Sequence, residues 1–229
     1  MSIMAHHAGM SLDLERLRWS YEMGGLSEED LEHDWLAQFE AWLADAVEAG
    51  IAEPNAMVLA TAQHHGTGET AVPSARTVLL RAVDERGFVF FTNLGSRKGR
   101  EARENPAASL VFPWIQLQRQ VVVVGAVELV GARECDDYWS KRPRGHQIGA
   151  MTSPQSQVVA SRSELEQRAD EIARRYPSGV PLPRPEGWGG LRVVPGSVEF
   201  WQGRRNRLHD RLRFRRDPEQ GWVVERLAP

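Results

Sequence analysis

A chain of 229 residues has room for one large domain or two small ones, and its 41% apolar and 26% charged residues suit a soluble globular protein. The net charge of −3 argues against nucleic-acid binding by bulk electrostatics while leaving room for a local anion site. The one cysteine, Cys135, excludes an intramolecular disulfide or a cysteine metal cluster and predicts a buried thiol in a reducing cytoplasm.

No run approaches the ~18 apolar residues of a membrane helix. Residues 1–11 read as a disordered tail without a secretory signal, and residues 12–229 as one domain, since no repeat or linker divides them. A short amphipathic stretch over 12–21 is closed by Gly24-Gly25. Between 31 and 49, Trp35, Leu36, Phe39, Trp42, Leu43, Ala46 and Val47 recur at helical spacing, which predicts a helix buried along one face. The period then shortens. Residues 56–62, 76–83, 87–92, 108–114 and 120–130 are β-rich and joined by turns such as Asp84-Glu85-Arg86-Gly87, which predicts a mainly β, antiparallel barrel. A short helix over 96–105, stopped by Pro106, interrupts them. Helices follow over 133–141, halted by Pro143, and over 161–176, with Ser163 and Glu166 at capping-box spacing. A loop rich in Pro and Gly fills 177–190. Strands at 191–194, 198–202, 208–216 and 222–227 complete the sheet, the last two as a hairpin.

Several constellations could carry chemistry, each with solvated surface charge as its bland alternative. Asn93-Leu94-Gly95-Ser96-Arg97-Lys98 lies between a strand and a helix, where backbone N–H groups, a hydroxyl and cations suit a phosphate. Its glycine spacing is not that of a Walker loop. Arg76 and Arg81, five apart on one predicted strand, are expected on opposite faces, able to serve two anions. Tyr138 and Arg142, four apart on a helix, share a face suited to stacking and anion binding. If 207–211 is extended, Arg207, His209 and Arg211 share a face, and two cations hold the imidazole pKa low. An arginine-rich edge strand would look the same. His64-His65 lacks further ligands nearby, so no metal site is expected.

Several of these stretches, in order over about residues 18–229, resemble the pyridoxamine 5′-phosphate oxidase family. The likeness is carried by Arg18-Trp19-Ser20-Tyr21, Arg76-Thr77-Val78-Leu79-Leu80, Phe91-Thr92-Asn93-Leu94-Gly95-Ser96-Arg97-Lys98, Arg119-Gln120-Val121, Tyr138 through Arg144, Gln155-Ser156 and Phe200-Trp201-Gln202-Gly203 onward to Arg211. The resemblance implies a Greek-key-like split antiparallel β-barrel with peripheral helices, acting as a cytoplasmic homodimer with FMN at the subunit interface. By it, Arg76, Arg97, Lys98 and Ser156 grip the FMN phosphate and ribityl chain, with Thr77, Val78, Leu79 and Leu80 alongside. Phe91, Thr92, Gln120, Gln155, Trp201 and Arg211 line the rest of the flavin. Arg81, Tyr138, Arg142 and His146 hold the substrate phosphate, Arg207 and His209 face the pyridine ring as the catalytic pair, and Arg18 to Tyr21 form a lid. The implied reaction is oxidation of pyridoxamine or pyridoxine 5′-phosphate to pyridoxal 5′-phosphate by hydride transfer to flavin, with O2 as acceptor and H2O2 released. No nucleic-acid or membrane partner is implied. Two positions depart from the pattern: the family usually has lysine at Arg81 and often a small residue at His146. The alternatives are a split-barrel flavin or deazaflavin reductase and a non-catalytic flavin or pyridoxal-phosphate binding module.

Overall fold

The computed structural model describes residues 20–63 and 70–229; Arg18, most of the 12–21 stretch, and His64 and His65 lie outside them. The first long helix, α1 (Trp35–Glu48), starts four residues later than its apolar run suggests, because the Asp34 carboxylate caps it by accepting from the Ala37 N–H at 2.8 Å. Its buried stripe is Trp35, Phe39, Trp42 and Ala46. Phe39 meets Phe112 at 4.9 Å and Phe88 at 5.0 Å between ring centroids, and Trp42 meets Phe200 edge-on at 5.3 Å. Burying a ring of this size contributes roughly 1.5–3 kcal/mol, so α1 is fastened to the sheet by several such contacts.

Nine antiparallel strands form that sheet: β1 (Ala56–Gln63), β2 (Val72–Leu79), β3 (Ala82–Asp84), β4 (Gly87–Asn93), β5 (Ala107–Trp114), β6 (Arg119–Leu129), β7 (Trp188–Gln202), β8 (Asp210–Asp217) and β9 (Gly221–Arg226). Their order is β2-β1-β5-β6-β7-β4-β3, with β8 on β7 and β9 on β8. β7 is the spine. Along one side it pairs with β6; β4 takes residues 188–193 and β8 takes 197–202. The sheet therefore divides along β7, the split antiparallel architecture expected from the sequence. Four further helices, α2 (Arg97–Glu104), α3 (Ala132–Lys141), α4 (Arg144–Thr152) and α5 (Arg162–Arg175), join these strands. Among the described residues, no helix is long and apolar enough to cross a membrane.

Several expectations need correction. The strand placed at 76–83 is two strands, because Leu80 leaves the ladder and donates its N–H to the Asn55 carbonyl at 2.9 Å. The two strands placed at 191–194 and 198–202 are one, and it begins inside the expected 177–190 loop; Pro195-Gly196 is a bulge within it, where a missing N–H is tolerated. The cap of α5 is Ser161, which accepts from the Glu164 N–H at 3.2 Å, not Ser163. The helix α4 went unpredicted because residues 144–152 lack a clear apolar stripe.

Candidate active site

Strand β2, the end of β4, the start of α2 and the turn after α3 enclose a cavity of about 540 Å³. Of the predicted site residues it is lined by Arg76, Thr77, Val78, Leu79 and Arg81 from the first segment. Phe91, Thr92, Arg97 and Lys98 come from the second, and Tyr138, Arg142, Gln155 and Ser156 from the third. Arg76 and Arg81 thus face one cavity; the opposite-face expectation fails because the chain leaves the strand at Leu80 between them. Leu80 itself is buried in the main core rather than in the cavity wall.

The turn from β4 into α2 builds the first half of the site. Ser96 caps α2, its hydroxyl accepting from the Gly99 N–H. Gly99 is required there: a Cβ would stand 2.3 Å from the Leu94 carbonyl oxygen. This turn presents Lys98 inward, where its ammonium meets only neutral oxygens: Gln155 Oε1 at 3.0 Å, Thr92 Oγ1 at 3.2 Å and Ser96 Oγ at 3.4 Å. Burial, then the nearby Arg76 charge, lower its pKa to about 8, with Glu101 opposing them.

Glu101 is a residue that sequence reasoning missed, although its place four after Arg97 on a helix was the available signal. Its carboxylate is almost fully buried and accepts from Thr61 Oγ1 at 2.5 Å, Ser74 Oγ at 2.6 Å, Arg97 Nε at 2.7 Å and Arg76 Nη2 at 3.1 Å. Burial alone would raise its pKa, but the hydrogen bonds from Ser74, Thr61, Arg97 and Arg76 outweigh that and hold it at about 2. Arg76 and Arg97 share this one carboxylate and Lys98 bonds only neutral oxygens, so the three cations stand beside a single negative charge, an excess of two. That excess suits a phosphate dianion.

A second cation set lies on the α3 side. Arg142 is the cap residue after α3 and has extended backbone, so it does not share a helical face with Tyr138; Pro143 disfavours the helical conformation one residue earlier. Its guanidinium nevertheless lies over the Tyr138 ring at 6.0 Å, the pairing expected from the sequence, and over the Trp188 ring at 5.0 Å, and among the described residues its buried Nε has no hydrogen-bond partner. Burial lowers the Arg142 pKa, Tyr138 opposes this, and the Arg81 charge lowers it further. Two neighbouring arginines with an orphan buried donor, which by itself costs roughly 1–3 kcal/mol, form a site prepared for a second anion. His146 lines an adjoining cavity of about 360 Å³ that shares Arg142, and its backbone carbonyl accepts from Arg142 Nη2 at 3.2 Å.

The remaining predicted residues stand elsewhere. Gln120 and Arg211 both pair with Trp201 across the ladder, at the far end of β7 from Phe91, which pairs with Gly190. Ten residues of strand lie between Gly190 and Trp201, which sets them roughly 35 Å apart along the chain. Residues 207–211 are not an extended run: Asn206 and Arg207 are left-handed, with φ of 57° and 61°, and β8 begins only at Asp210. The shared face of Arg207, His209 and Arg211 is therefore absent. Arg211 forms a two-pronged pair with Glu199, at 2.7 and 3.1 Å, so its charge is already matched. His209 packs against Trp201 at 4.7 Å and Tyr21 at 5.4 Å, and its Nδ1 accepts the Arg204 N–H at 3.0 Å. Its pKa is lowered, by burial first and by Arg207 second. The imidazole is thus neutral near pH 7 with its proton on Nε2.

Much of the charge at the arginine-rich end is matched within the chain. Arg213 and Arg215 pair with Glu225, and Arg226 pairs with Glu28 and Asp210.

A split antiparallel β-barrel with an arginine- and lysine-lined cavity in its wall fits the FMN-binding split-barrel proteins as a class. Residues 43–176 match the model of the family described as pyridoxamine 5′-phosphate oxidase, and residues 188–229 match the pyridoxine 5′-phosphate oxidase C-terminal dimerisation region. The pyridoxine/pyridoxamine 5′-phosphate oxidase of Frankia alni is 56% identical over 93% of this chain and 87% of its own. That of Salinibacter ruber is 51% identical over 94% of this chain and 99% of its own. The crystal structure of PhzG from Burkholderia lata, bound to tetrahydrophenazine-1-carboxylic acid, superposes with a TM-score of 0.80 at 33% identity, covering 88% of this chain and 95% of that one. The chain belongs to the pyridoxamine 5′-phosphate oxidase family.

Proposed function

We propose that this protein uses FMN to oxidise pyridoxamine 5′-phosphate and pyridoxine 5′-phosphate to pyridoxal 5′-phosphate, with O2 as acceptor and H2O2 released. The observation that carries the reading is one cavity with two cation sets, one for each phosphate. Arg76, Arg97, Lys98 and Ser156 hold the FMN phosphate and ribityl chain, while Phe91, Thr92 and Gln155 line the ring. Arg81, Arg142 and Tyr138 hold the substrate phosphate. When bound, FMN supplies the two-electron chemistry and the reaction with O2 that no side chain here can provide.

The chain's own residues bind and orient. Arg207 positions the reacting-carbon side of the substrate. His209, neutral and with Nδ1 already bonded, donates from Nε2 to the substrate's phenolic oxygen. Replacing either by alanine is expected to slow turnover at least tenfold, about 1.4 kcal/mol of barrier, with the flavin absorbance retained. Turnover within twofold of wild type would mean that this loop is only solvated surface.

The functional unit is a homodimer, consistent with the dimerisation region matched at 188–229. A ligand pocket of the usual ~300–1,000 Å³ is about 7–10 Å across, so one flavin cannot reach both ends of β7 in one chain. Gln120, Trp201 and Arg211 of the partner subunit complete each site, and with them Arg207 and His209 of the partner subunit, because His209 packs against Trp201 at 4.7 Å. Dilution to monomer should release FMN, and a monomer that keeps its flavin in light scattering contradicts the arrangement. We place the protein in the cytoplasm as a single domain over 12–229.

The deciding experiment is an absorbance spectrum of the purified protein followed by an H2O2 assay with each ester. Yellow protein and peroxide with either ester support the oxidase. Colour without peroxide returns the reading to a reductase or a binding module.

A further inference from the structure

Between the 3-10 turn Ile115–Leu117 and β6 stands Gln118, a buried residue with φ 53° and ψ 36°. A residue other than glycine keeps that left-handed backbone only where its surroundings over-determine it. Here they do so from two sides. The side-chain Oε1 accepts from the backbone N–H groups of Glu22 at 2.8 Å and Met23 at 3.1 Å. The main-chain carbonyl accepts from the Gly203 N–H at 2.7 Å and from Gln202 Nε2 at 3.2 Å. One residue therefore ties the segment at 20–23 to the start of the loop that carries Arg207 and His209.

That tie sets Tyr21. Its ring stands edge-on to Trp201 at 5.7 Å and to His209 at 5.4 Å. It also lies so close over Gly203 that a Cβ there would be 2.7 Å from the ring. The segment has other fastenings: Arg204 Nη1 donates to the Gly24 carbonyl at 2.9 Å, and Arg205 pairs with Glu22 at 3.0 Å. Both are solvent-exposed, where such contacts hold weakly. Among the described residues, Gln118 alone grips, from a buried position, the two peptide units that directly follow Tyr21.

We infer that Gln118 is a positioning residue, which holds Tyr21 against the imidazole of His209 and so shapes the substrate face without touching substrate or cofactor. The inference rests on the substrate-facing role of His209 given above. The side-chain amide supplies only an acceptor to Glu22 and Met23, so a carboxylate of equal length should serve as well, and loss of the acceptor should free the segment.

The test uses FMN-loaded protein and two variants. Gln118→Gly removes the acceptor while suiting the left-handed backbone; Gln118→Glu keeps an acceptor at the same reach. Chymotryptic cleavage after Tyr21 is followed by mass spectrometry, alongside KM and kcat for pyridoxamine 5′-phosphate. Gln118→Gly should speed that cleavage about tenfold and raise KM about fivefold, the scale of losing two ordinary hydrogen bonds, with kcat and flavin content within twofold. Gln118→Glu should stay within about twofold of wild type in every measure. Wild-type cleavage and KM in Gln118→Gly overturn the inference, as does a Gln118→Glu protein as impaired as Gln118→Gly. Absence of turnover in the wild type would refute the substrate assignment instead, and the cleavage rates would still decide whether Gln118 tethers Tyr21.

Discussion

Lys98→Met is expected to weaken FMN binding by roughly 10- to 100-fold while changing riboflavin binding by less than about threefold, since a charge-assisted bond to phosphate contributes ~1.5–3 kcal/mol. Among the described residues the ammonium has no carboxylate in hydrogen-bond contact, and Glu101 acts on it only at longer range, so a bound anion would be its first directly bonded counter-charge. The same position predicts a pH dependence. Burial lowers the Lys98 pKa to about 8 in the phosphate-free protein. The cation that phosphate requires is therefore present below about pH 8 and lost above it. Bound phosphate raises that pKa, so binding above pH 8 takes up a proton, and the preference for FMN over riboflavin should fall as pH rises from 7 to 9.5. Lys98→Arg, whose charge is fixed across this range, should flatten the profile. Fluorescence-quenching titrations with both flavins measure all of this, and equal affinity of the wild type for FMN and riboflavin would sink the phosphate assignment.

What could be seen in the sequence was whatever local spacing controls. The stripe Trp35, Phe39, Trp42 and Ala46 was legible because one helical face meets the sheet, and the turn Gly95-Ser96-Arg97-Lys98 because its cap chemistry is local. Arg142 was misplaced on a helix even though Pro143 carried the signal against it. The break at Leu80 left no local mark: Val78-Leu79-Leu80 is one apolar run, and the strand ends there through a bond to Asn55, twenty-five residues away. Arg76 and Arg81 were consequently assigned to two faces when they serve one cavity. Around Arg207 the hint was Asn206, a residue tolerant of left-handed backbone, but nothing local shows that Arg207 follows it into the same conformation. The role of Glu101 is a tertiary matter too, since Thr61 and Ser74 reach it only once β1 and β2 are paired.

Arg81→Ala should raise KM for the phosphate esters by about tenfold with a smaller change in kcat, because Arg81, itself exposed, is one of the two cations beside the half-buried Arg142 site, and a charge-assisted phosphate bond commonly contributes ~1.5–3 kcal/mol. Arg81 and Arg142 repel each other in the ligand-free protein, and an anion between them converts that repulsion into attraction. Arg81→Lys retains the charge but gives up the planar fork, so a rise of only about two- to fivefold is expected. His146→Ser supplies the contrast. The bond from Arg142 goes to the His146 backbone carbonyl, and the imidazole borders the adjoining cavity. Serine keeps that carbonyl, so KM and its pH profile should stay within about twofold of wild type, a difference below ~0.5 kcal/mol. A large KM rise in His146→Ser, with Arg81→Ala near wild type, would move the substrate phosphate out of the main cavity and into the adjoining one, with Arg142 as the only cation common to both.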